Sequence, residues 1–478
     1  MFFMILPVVA VLVLYLNVRK VANGTKGVLC AGLPIILTFA SFFLARNNST
    51  VFAMLQCFMV IWLCQALWMF LLWDLFLGLR AIYRKTIGKK KGRPQYKTNF
   101  VRNGARAVLA ATVLLTACLL AYGIPNHYDY KTRTLEVPVT LHPSFVAPSS
   151  FRNFKAVFFS DLHIDPLFKK EKLERLIAQC DSIKPDFILF GGDFADVHDS
   201  VLTAEGYDPL IQKLASTAKV AAVGINGNHE AYMERSGSDP EGFLRRNGWI
   251  VLDDSTACLP ARKPTACFTG RRDFQKARVF NEPRKTLEEL AVGSPMAQSL
   301  TNKDHDVPWI LLDHQPKGIE EEYGKSRPDF ALSGHTHDGQ FFPGNILIKW
   351  IWPLAYGEGT LSETHWLVSS GVDSWGPPVR AGSDTEIWIL DFKTIMKAEA
   401  TGRLLTKRPR AFLSADSIIR ATQGLQKAMK IEIPEISPEM KSELDSLNKA
   451  ASENLQKEAD SLEKRLLQSI AGDAKATQ

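Results

Sequence analysis

The sequence predicts an α/β domain that is preceded by an N-terminal transmembrane helical region. The first 125 residues are dominated by long apolar runs, whereas residues 151–393 alternate short apolar runs with segments of helical periodicity. Alternation of this kind is typical of helices packed on a sheet. Residues 126–150 are then a juxtamembrane linker, and residues 394–478 form a C-terminal amphipathic helical tail.

The N-terminal region is expected to contain about four transmembrane helices. The apolar runs are Met1–Leu16, Gly27–Ala45, Val51–Leu79 and Ala107–Ile124. The last three are near or above the ~20 apolar residues that a bilayer requires. The first run is short enough for a signal peptide. However, Arg19 and Lys20 follow it instead of preceding it, and no small-residue cleavage site is evident, so we expect a retained helix.

A basic loop between the third and fourth runs sets the expected orientation. It carries ten Lys and Arg residues from Arg80 to Arg106 and no acidic residue. The positive-inside rule then leaves this loop in the cytoplasm and the α/β domain outside it, as a multi-pass protein of the cell (inner) membrane. The alternative is a nucleic-acid-binding patch, but the position between two spans argues against it. We expect no nucleic-acid partner.

Five polar motifs each follow a short apolar run that is typical of a buried strand. They are Asp161-Leu162-His163, Gly191-Gly192-Asp193, Gly227-Asn228-His229-Glu230, His314 and Gly334-His335-Thr336-His337. The C-terminal ends of parallel strands meet at one edge of a sheet, where such sheets bind ligands. Taken singly each motif is weak, because Asp193 after two glycines is also typical of a tight turn. As an ordered set they predict a two-metal site.

This ordered set resembles the calcineurin-like metallophosphoesterase superfamily, whose pattern is D-x-H, G-D-x-x-D, G-N-H-[E/D], H and G-H-x-H. No element is missing, and the likeness covers roughly residues 151–393. Gly339-Gln340 and the stretch from Gly371 to Arg380 resemble the bacterial membrane-associated branch. One departure is Asp338, where that branch usually has glycine. The resemblance implies a four-layer α/β-β/α sandwich and a metal-dependent phosphoesterase.

The resemblance also implies a role for each site residue. Asp161, His163 and His337 would hold one divalent metal ion. Asn228, His314 and His335 would hold a second, with Asp193 bridging the two. This mixture of imidazole, carboxylate and amide ligands without thiolate suits Mn, Fe or Zn. His229 would donate a proton to the leaving group, and Asp196 would orient it.

Further segments suggest additional features. Cys258 and Cys267 flank the expected loop of a hairpin, where a disulfide or two free thiols are both compatible with the sequence. The aromatic segment Phe341–Gly359 is either loop packing or an apolar lip for lipid or a lipid-linked phosphoester. Ser414–Lys430 and Ser437–Ile470 have helical periodicity, which suits either a helical partner or docking on the body of the protein.

Segment by segment, the pattern predicts helices followed by paired strands. Helical spacing covers Phe168–Ser182, Pro209–Ser216 and Glu241–Asn247. Later strands are expected at Trp249–Asp253, Ala266–Gly270, Ile346–Ile351, Trp366–Ser370 and Glu386–Leu390.

The sequence thus predicts a membrane-anchored dimetal phosphohydrolase that acts outside the cytoplasm. Two alternatives stay open. One is a pyrophosphohydrolase of a lipid-linked nucleotide, of the UDP-diacylglucosamine type, at the cytoplasmic face, which needs the opposite topology. The other is a non-catalytic membrane assembly factor on the same fold.

Overall fold

A computed structural model of the chain describes residues 11–21, 24–45, 50–86, 98–141, 153–260, 266–301, 307–319 and 327–396. The chain divides into two compact units, Met1–Gly402 and Arg403–Gln478. The predicted C-terminal helices and the middle of the basic loop, residues 87–97, lie outside the described residues.

Three long helices and a helical segment at residues 11–18 make up the N-terminal region. The long helices are α1 (Gly24–Ala45), α2 (Thr50–Thr86) and α3 (Thr98–Tyr128). Within the described residues, Met54–Thr86 and Phe100–Tyr128 are long and apolar enough to cross a membrane. Since the first predicted span is described only in part, the number of four spans stays a prediction.

Polar contacts join these helices. Asn17 Nδ2 donates to Asp74 Oδ2 at 2.6 Å, and Lys20 Nζ lies 3.3 Å from Asp74 Oδ1. Trp62 Nε1 donates to Thr112 Oγ1 at 3.1 Å and links α2 to α3. Asp74, which stands near the end of an apolar run, therefore has a basic and an amide partner on the preceding segment. Such pairing is how membrane regions tolerate a carboxylate.

Two six-stranded sheets form the rest of the first unit. The first sheet has the order β1-β12-β2-β3-β4-β5 and the second β10-β11-β9-β8-β7-β6. The strands of the first are β1 (Lys131–Leu141), β2 (Phe154–Phe159), β3 (Phe187–Phe190), β4 (Ala221–Ile225), β5 (Ile250–Leu252) and β12 (Glu386–Met396). Those of the second are β6 (Ser255–Leu259), β7 (Ala266–Gly270), β8 (Trp309–Leu312), β9 (Phe330–Ser333), β10 (Gly357–Leu361) and β11 (Thr364–Val368).

The sheets pack face to face, and helices cover their outer faces. Phe158 and Leu189 of the first sheet meet Phe268, Ile310 and Leu332 of the second in one buried cluster. The covering helices are α4 (Lys170–Ile183), α5 (Asp199–Ala204), α6 (Asp208–Ser216), α7 (Asn228–Arg235), α8 (Pro240–Arg246), α9 (Phe274–Phe280), α10 (Leu287–Val292) and α11 (Ala297–Leu300). Separate apolar clusters lie under the helices of each side. The predicted four-layer sandwich is confirmed.

Two elements differ from the sequence prediction. Ile346–Ile351 was expected as a strand but belongs to helix α12 (Gly344–Ile351). The apolar pattern of this segment suits either a helix or a strand. Within the described residues no strand pairs with it. Lys131–Leu141 was expected in a linker but forms β1, which pairs in parallel with β12. Val137 and Val139 are buried on one face of β1, which is the alternation of an edge strand.

A disulfide joins Cys258 and Cys267, which are directly opposite each other in the antiparallel pair β6–β7. The hairpin predicted for this segment is therefore present. Both cysteines are buried beneath the helices of the second sheet. A disulfide at this position is consistent with folding in an oxidising compartment.

Leu332→Ala should destabilise the protein, because Leu332 is fully buried between the two sheets. Removal of a buried leucine side chain costs roughly 2–5 kcal/mol of unfolding free energy. Val292→Ala is the matched control, since Val292 is exposed at the end of α10. Thermal unfolding in detergent should show a lower midpoint for the first variant alone. Equal midpoints for the two variants would contradict the face-to-face packing of the sheets.

Candidate metal centre

The predicted site residues lie at the C-terminal ends of strands from both sheets. Asp161, Asp193 and Asn228 follow β2, β3 and β4, while His314 and His335 follow β8 and β9. Parallel neighbours run β2-β3-β4 in one sheet and β7-β8-β9 in the other, so these ends meet at the same rim. The structure brings all the predicted ligands to this one rim.

The backbone at this rim has an uncommon conformation. Five of the predicted ligands have positive φ: Asp161 (58°), His163 (43°), Asp193 (60°), His335 (72°) and His337 (50°). The left-handed region of φ/ψ space is unfavourable for a residue that has a side chain. Each such residue costs of order 1–3 kcal/mol of conformational free energy. Left-handed residues of this kind cluster at functional sites. The local strain thus marks the same residues that the motifs single out.

Glycines beside these turns leave room for the carboxylates. A Cβ on Gly227 would lie 2.2 Å from Asp193 Oδ1, and one on Gly334 would lie 2.4 Å from Asp161 Oδ2. Both distances are far below contact distance. These motif glycines are therefore required by the close approach of a ligand side chain.

One group of donor atoms surrounds Asp161. His337 Nε2 lies 3.6 Å from Asp161 Oδ1, and His163 Nε2 lies 3.9 Å from the same oxygen. The two imidazole nitrogens are 3.2 Å apart. His163 Nε2 is also 3.6 Å from Asp193 Oδ2. Asp161, His163 and His337 are nine-tenths or more buried.

A second group surrounds the other side of Asp193. His314 Nε2 lies 3.1 Å from Asp193 Oδ2 and 3.2 Å from Asn228 Oδ1. The rings of His314 and His335 are 5.1 Å apart between centroids. His314 Nδ1 lies 2.8 Å from the carbonyl oxygen of Gly191, which fixes the ring so that Nε2 faces Asp193.

These residues fit two adjacent metal ions. Asp161, His163 and His337 form one set that could hold an ion, and Asp193, His314 and His335 form another. Asp193 also groups with His163, so its carboxylate faces both sets. Two buried carboxylates with several imidazoles converging on them are costly without a cation. The donors are oxygen and imidazole nitrogen, which suit Mn, Fe or Zn.

His229 and Asp196 form a pair beside these groups. His229 Nδ1 lies 2.5 Å from Asp196 Oδ1, and the other oxygen of Asp196 is 3.3 Å from His163 Nδ1. Burial alone would lower the pKa of His229, but Asp193 and Asp196 outweigh it and raise that pKa. Burial opposes ionisation of Asp196 as well, yet His163 and His229 lower its pKa. The pair therefore favours a protonated imidazole held by a carboxylate.

Glu230 has a structural role that the sequence motif did not reveal. Its carboxylate accepts hydrogen bonds from the backbone N–H groups of Asp193 (3.1 Å), Phe194 and Gly227 (2.5 Å). One side chain thus fixes the turn after β3 to the turn after β4. Burial, and then the charge of Asp193, raise the pKa of Glu230 to about 7.

Arg380 was noted in the sequence only as part of a family-like stretch, and no role was predicted for it. Its guanidinium is fully buried and donates to the carbonyl oxygen of His337 (2.8 Å) and to His337 Nδ1 (2.9 Å). It also donates to the carbonyl oxygens of Ser370 (2.7 Å) and Asp373. Its charge disfavours protonation of His337, whose pKa is lowered first by burial and then by Arg380. No sequence spacing predicts this contact.

Asp338, the one departure from the family pattern, is not among the described residues that group as possible metal ligands. It is buried, and with Arg133, Tyr356 and Asp384 it lines a separate surface cavity of about 210 Å³. Burial raises the pKa of Asp338 to about 6. Asp338 in place of the usual glycine therefore changes the environment of the turn that follows His337, and it does not change the set of metal ligands.

Comparison with known proteins agrees with this geometry. Residues 154–339 match the family model of the calcineurin-like phosphoesterases. An uncharacterized metallophosphoesterase of Aquifex aeolicus is 30% identical over 237 residues, which cover 49% of this chain and 83% of that protein. The chain belongs to the calcineurin-like phosphoesterase family.

Two vertebrate relatives share more of the chain. A "Transmembrane protein with metallophosphoesterase domain" of Danio rerio is 30% identical over 311 residues, 63% of this chain and 66% of that protein. Its namesake in Bos taurus is 29% identical over 293 residues, 59% of this chain and 61% of that protein. The match thus spans less than two thirds of either relative. Together with the two apolar helices, these relatives indicate membrane association, in a family that is not confined to bacteria.

Asp193→Asn should reduce metal content at both positions, because one carboxylate faces both donor groups. Turnover should be nearly abolished. Elemental analysis of the purified variant, beside wild type and a variant of the exposed residue Asp181 of α4 (Asp181→Asn), measures the ions per chain. Two tightly bound ions per chain with normal turnover in Asp193→Asn would show that the bridge is assigned incorrectly.

Arg380→Gln should weaken metal binding around His337, since the hydrogen bonds that tie the turn of His337 to the loops at Ser370 and Asp373 are lost. Loss of a partner of a ligating histidine typically costs 10–100-fold in metal affinity or activity. Titration of bound metal with a graded chelator measures the change, and thermal unfolding checks that the fold persists. Arg246→Gln, on the exposed face of α8, is the control. Unchanged metal affinity in folded Arg380→Gln would exclude this positioning role.

Proposed function

We propose that the protein is a membrane-anchored, dimetal phosphohydrolase that cleaves phosphoester bonds. One observation carries the proposal: two buried donor groups share Asp193 at a single rim of the sandwich. Family membership supports the same chemistry. An intact donor set argues against a non-catalytic assembly factor, because a scaffold has no use for strained, buried carboxylates.

Each residue has a separate task in the proposed mechanism. Two divalent ions, when bound, would supply Lewis acidity and an activated water. Asp161, His163 and His337 would hold one ion, and Asn228, His314 and His335 the other. His229 would hold the proton that the leaving oxygen needs. Asp196 accepts from Nδ1 of His229, which leaves Nε2 free to donate.

We place the catalytic domain outside the cytoplasm. The basic residues between α2 and α3 favour a cytoplasmic loop, and α3 then carries the chain to the opposite side. The disulfide Cys258–Cys267 supports the same side, because cytosolic thiols are kept reduced. Both features argue against the cytoplasmic-face pyrophosphohydrolase. The aromatic segment from Phe341 onward favours a substrate with an apolar part.

A substrate panel tests the proposal directly. The full-length protein in detergent, loaded with Mn, Fe or Zn, should hydrolyse p-nitrophenyl phosphate, bis-p-nitrophenyl phosphate or a pyrophosphate ester. Asp161→Asn, which removes one ligand, should be inactive on every member of the panel. No hydrolysis by the metal-loaded wild type would contradict the proposed function.

His229→Ala should keep both ions while turnover falls roughly 10²–10⁴-fold, the usual range for general acid catalysis. The loss should be largest for esters with alkyl leaving groups and small for nitrophenyl esters, whose leaving group needs little protonation. Rates for a matched pair of such esters measure the difference. An equal loss on both esters would rule out proton donation by His229.

Fusion reporters test the orientation. Alkaline phosphatase is active only outside the cytoplasm, so a fusion after His142 should be active and one near Lys90 inactive. A fluorescent protein that folds only in the cytoplasm should give the opposite pattern at both points. Activity near Lys90 with none after His142 would return the domain to the cytoplasm.

A further inference from the structure

Helix α12 (Gly344–Ile351) carries an apolar face that the described protein does not cover. Ile346 and Trp350 are one helical turn apart, as are Leu347 and Ile351, so the four side chains share one face. Trp350 is 80% exposed, Ile351 67%, and Ile346 and Leu347 46% each. No residue of this helix is buried. An exposed apolar face of this kind marks an interaction surface.

The metal centre lies directly beneath this helix. The helix packs on the turn that carries His337, where a Cβ on Gly339 would lie 2.2 Å from the carbonyl carbon of Gly344. Trp352, the residue after the helix, has its ring centroid 5.2 Å from that of His335. Helix α12 therefore lies next to the rim that carries the candidate ligands.

The same segment contacts the proposed membrane spans. Gln65 Nε2 of α2 donates to the carbonyl oxygen of Phe342 at 2.6 Å, and the ring of Trp68 meets that of Phe342 edge-on at 5.3 Å. Phe342 precedes the first residue of α12 by two positions. The segment that leads into α12 is thus anchored on α2, which is long and apolar enough to cross a membrane.

Helix geometry gives the depth of this contact. Gln65 lies 15 residues before Arg80, the first residue of the basic loop, which is about 22 Å along a helix. A second contact is made by α3, where the carbonyl oxygen of Gly123 accepts a hydrogen bond from the backbone N–H of Arg380. Gly123 lies 17 residues after Arg106, the last residue of the basic loop, which is about 25 Å along a helix. The hydrocarbon core of a bilayer is about 30 Å thick. Both contacts with the catalytic domain therefore lie in the leaflet opposite the basic loop, and that of Gly123 is within about 5 Å of the outer boundary of the hydrocarbon.

We propose that α12 inserts its apolar face into the leaflet opposite the basic loop, so that the metal centre takes its phosphoester from a membrane lipid. Tryptophan beside apolar side chains is typical of helices that lie in the membrane interface. Lys349, exposed on the same helix, can reach the lipid phosphates. The membrane is the occupant because α2 holds the helix at that depth. The substrate class rests on the proposed phosphoesterase function.

The test compares lipid and soluble esters on the same full-length protein. Phosphatidylcholine vesicles doped with phosphatidic acid, phosphatidylglycerol or CDP-diacylglycerol present a lipid monoester, diester and pyrophosphate. Wild type should hydrolyse at least one of them. The double variant Leu347→Gln/Trp350→Gln should lose about tenfold or more on that lipid because apolar insertion is weakened, while its rate on p-nitrophenyl esters stays close to wild type. Val201→Gln/Val292→Gln, on exposed apolar residues of α5 and α10, should leave both rates unchanged.

A second measurement locates the helix itself. Lipids with brominated acyl chains should quench a part of the tryptophan emission that is absent from Trp350→Leu. Equal fractional quenching of the two proteins would overturn the insertion. An equal loss of rate on lipid and soluble esters in the double variant would also overturn it. The same holds if wild type hydrolyses soluble esters but none of the three lipids. Failure of wild type on every ester, soluble ones included, would instead remove the phosphoesterase function on which the lipid substrate rests.

Discussion

The structure depends on the concentration of buried, charge-bearing donors at one rim of a sandwich. Asp161 and Asp193 are almost fully buried, and isolated carboxylates in such surroundings are costly. The rim can hold them because imidazoles converge on them and because two motif glycines leave space for their oxygens. The positive φ of the ligand residues adds to the cost.

Two side chains outside the donor set hold this rim together. Glu230 ties the turns after β3 and β4 through three backbone N–H groups. Arg380 ties the turn of His337 to the loops at Ser370 and Asp373. Glu230 acts on backbone N–H groups, and Arg380 acts on three carbonyl oxygens as well as on the ring of His337. Their effect is therefore on the position of the ligand turns. A ligand set assembled from both sheets needs cross-links of this kind, because its members are far apart along the chain.

The membrane region is connected to the same rim. Asn126 near the end of α3 donates to the carbonyl oxygens of Arg380 and Ser383, and a Cβ on Gly123 would lie 2.5 Å from Val379 Cγ1. The end of α3 therefore packs against the segment that holds His337. The contacts that join α3 to the catalytic domain and those that hold the turn of His337 share the residues around Arg380.

The sequence alone determined the apolar helices and the polar motifs that end the buried strands, because each of these is a local pattern. The four-layer sandwich and the role of each donor were implied only by the family resemblance that those motifs carry. The disulfide was left open, since its formation depends on register, which sets Cys258 opposite Cys267. The prediction of a strand at Ile346–Ile351 was wrong. The apolar pattern of this segment suits both a strand and a helix, and only the neighbouring elements decide between them. The role of Arg380 could not be predicted at all. Its partner His337 is 43 residues away, and a contact of that kind exists only once both sheets have packed.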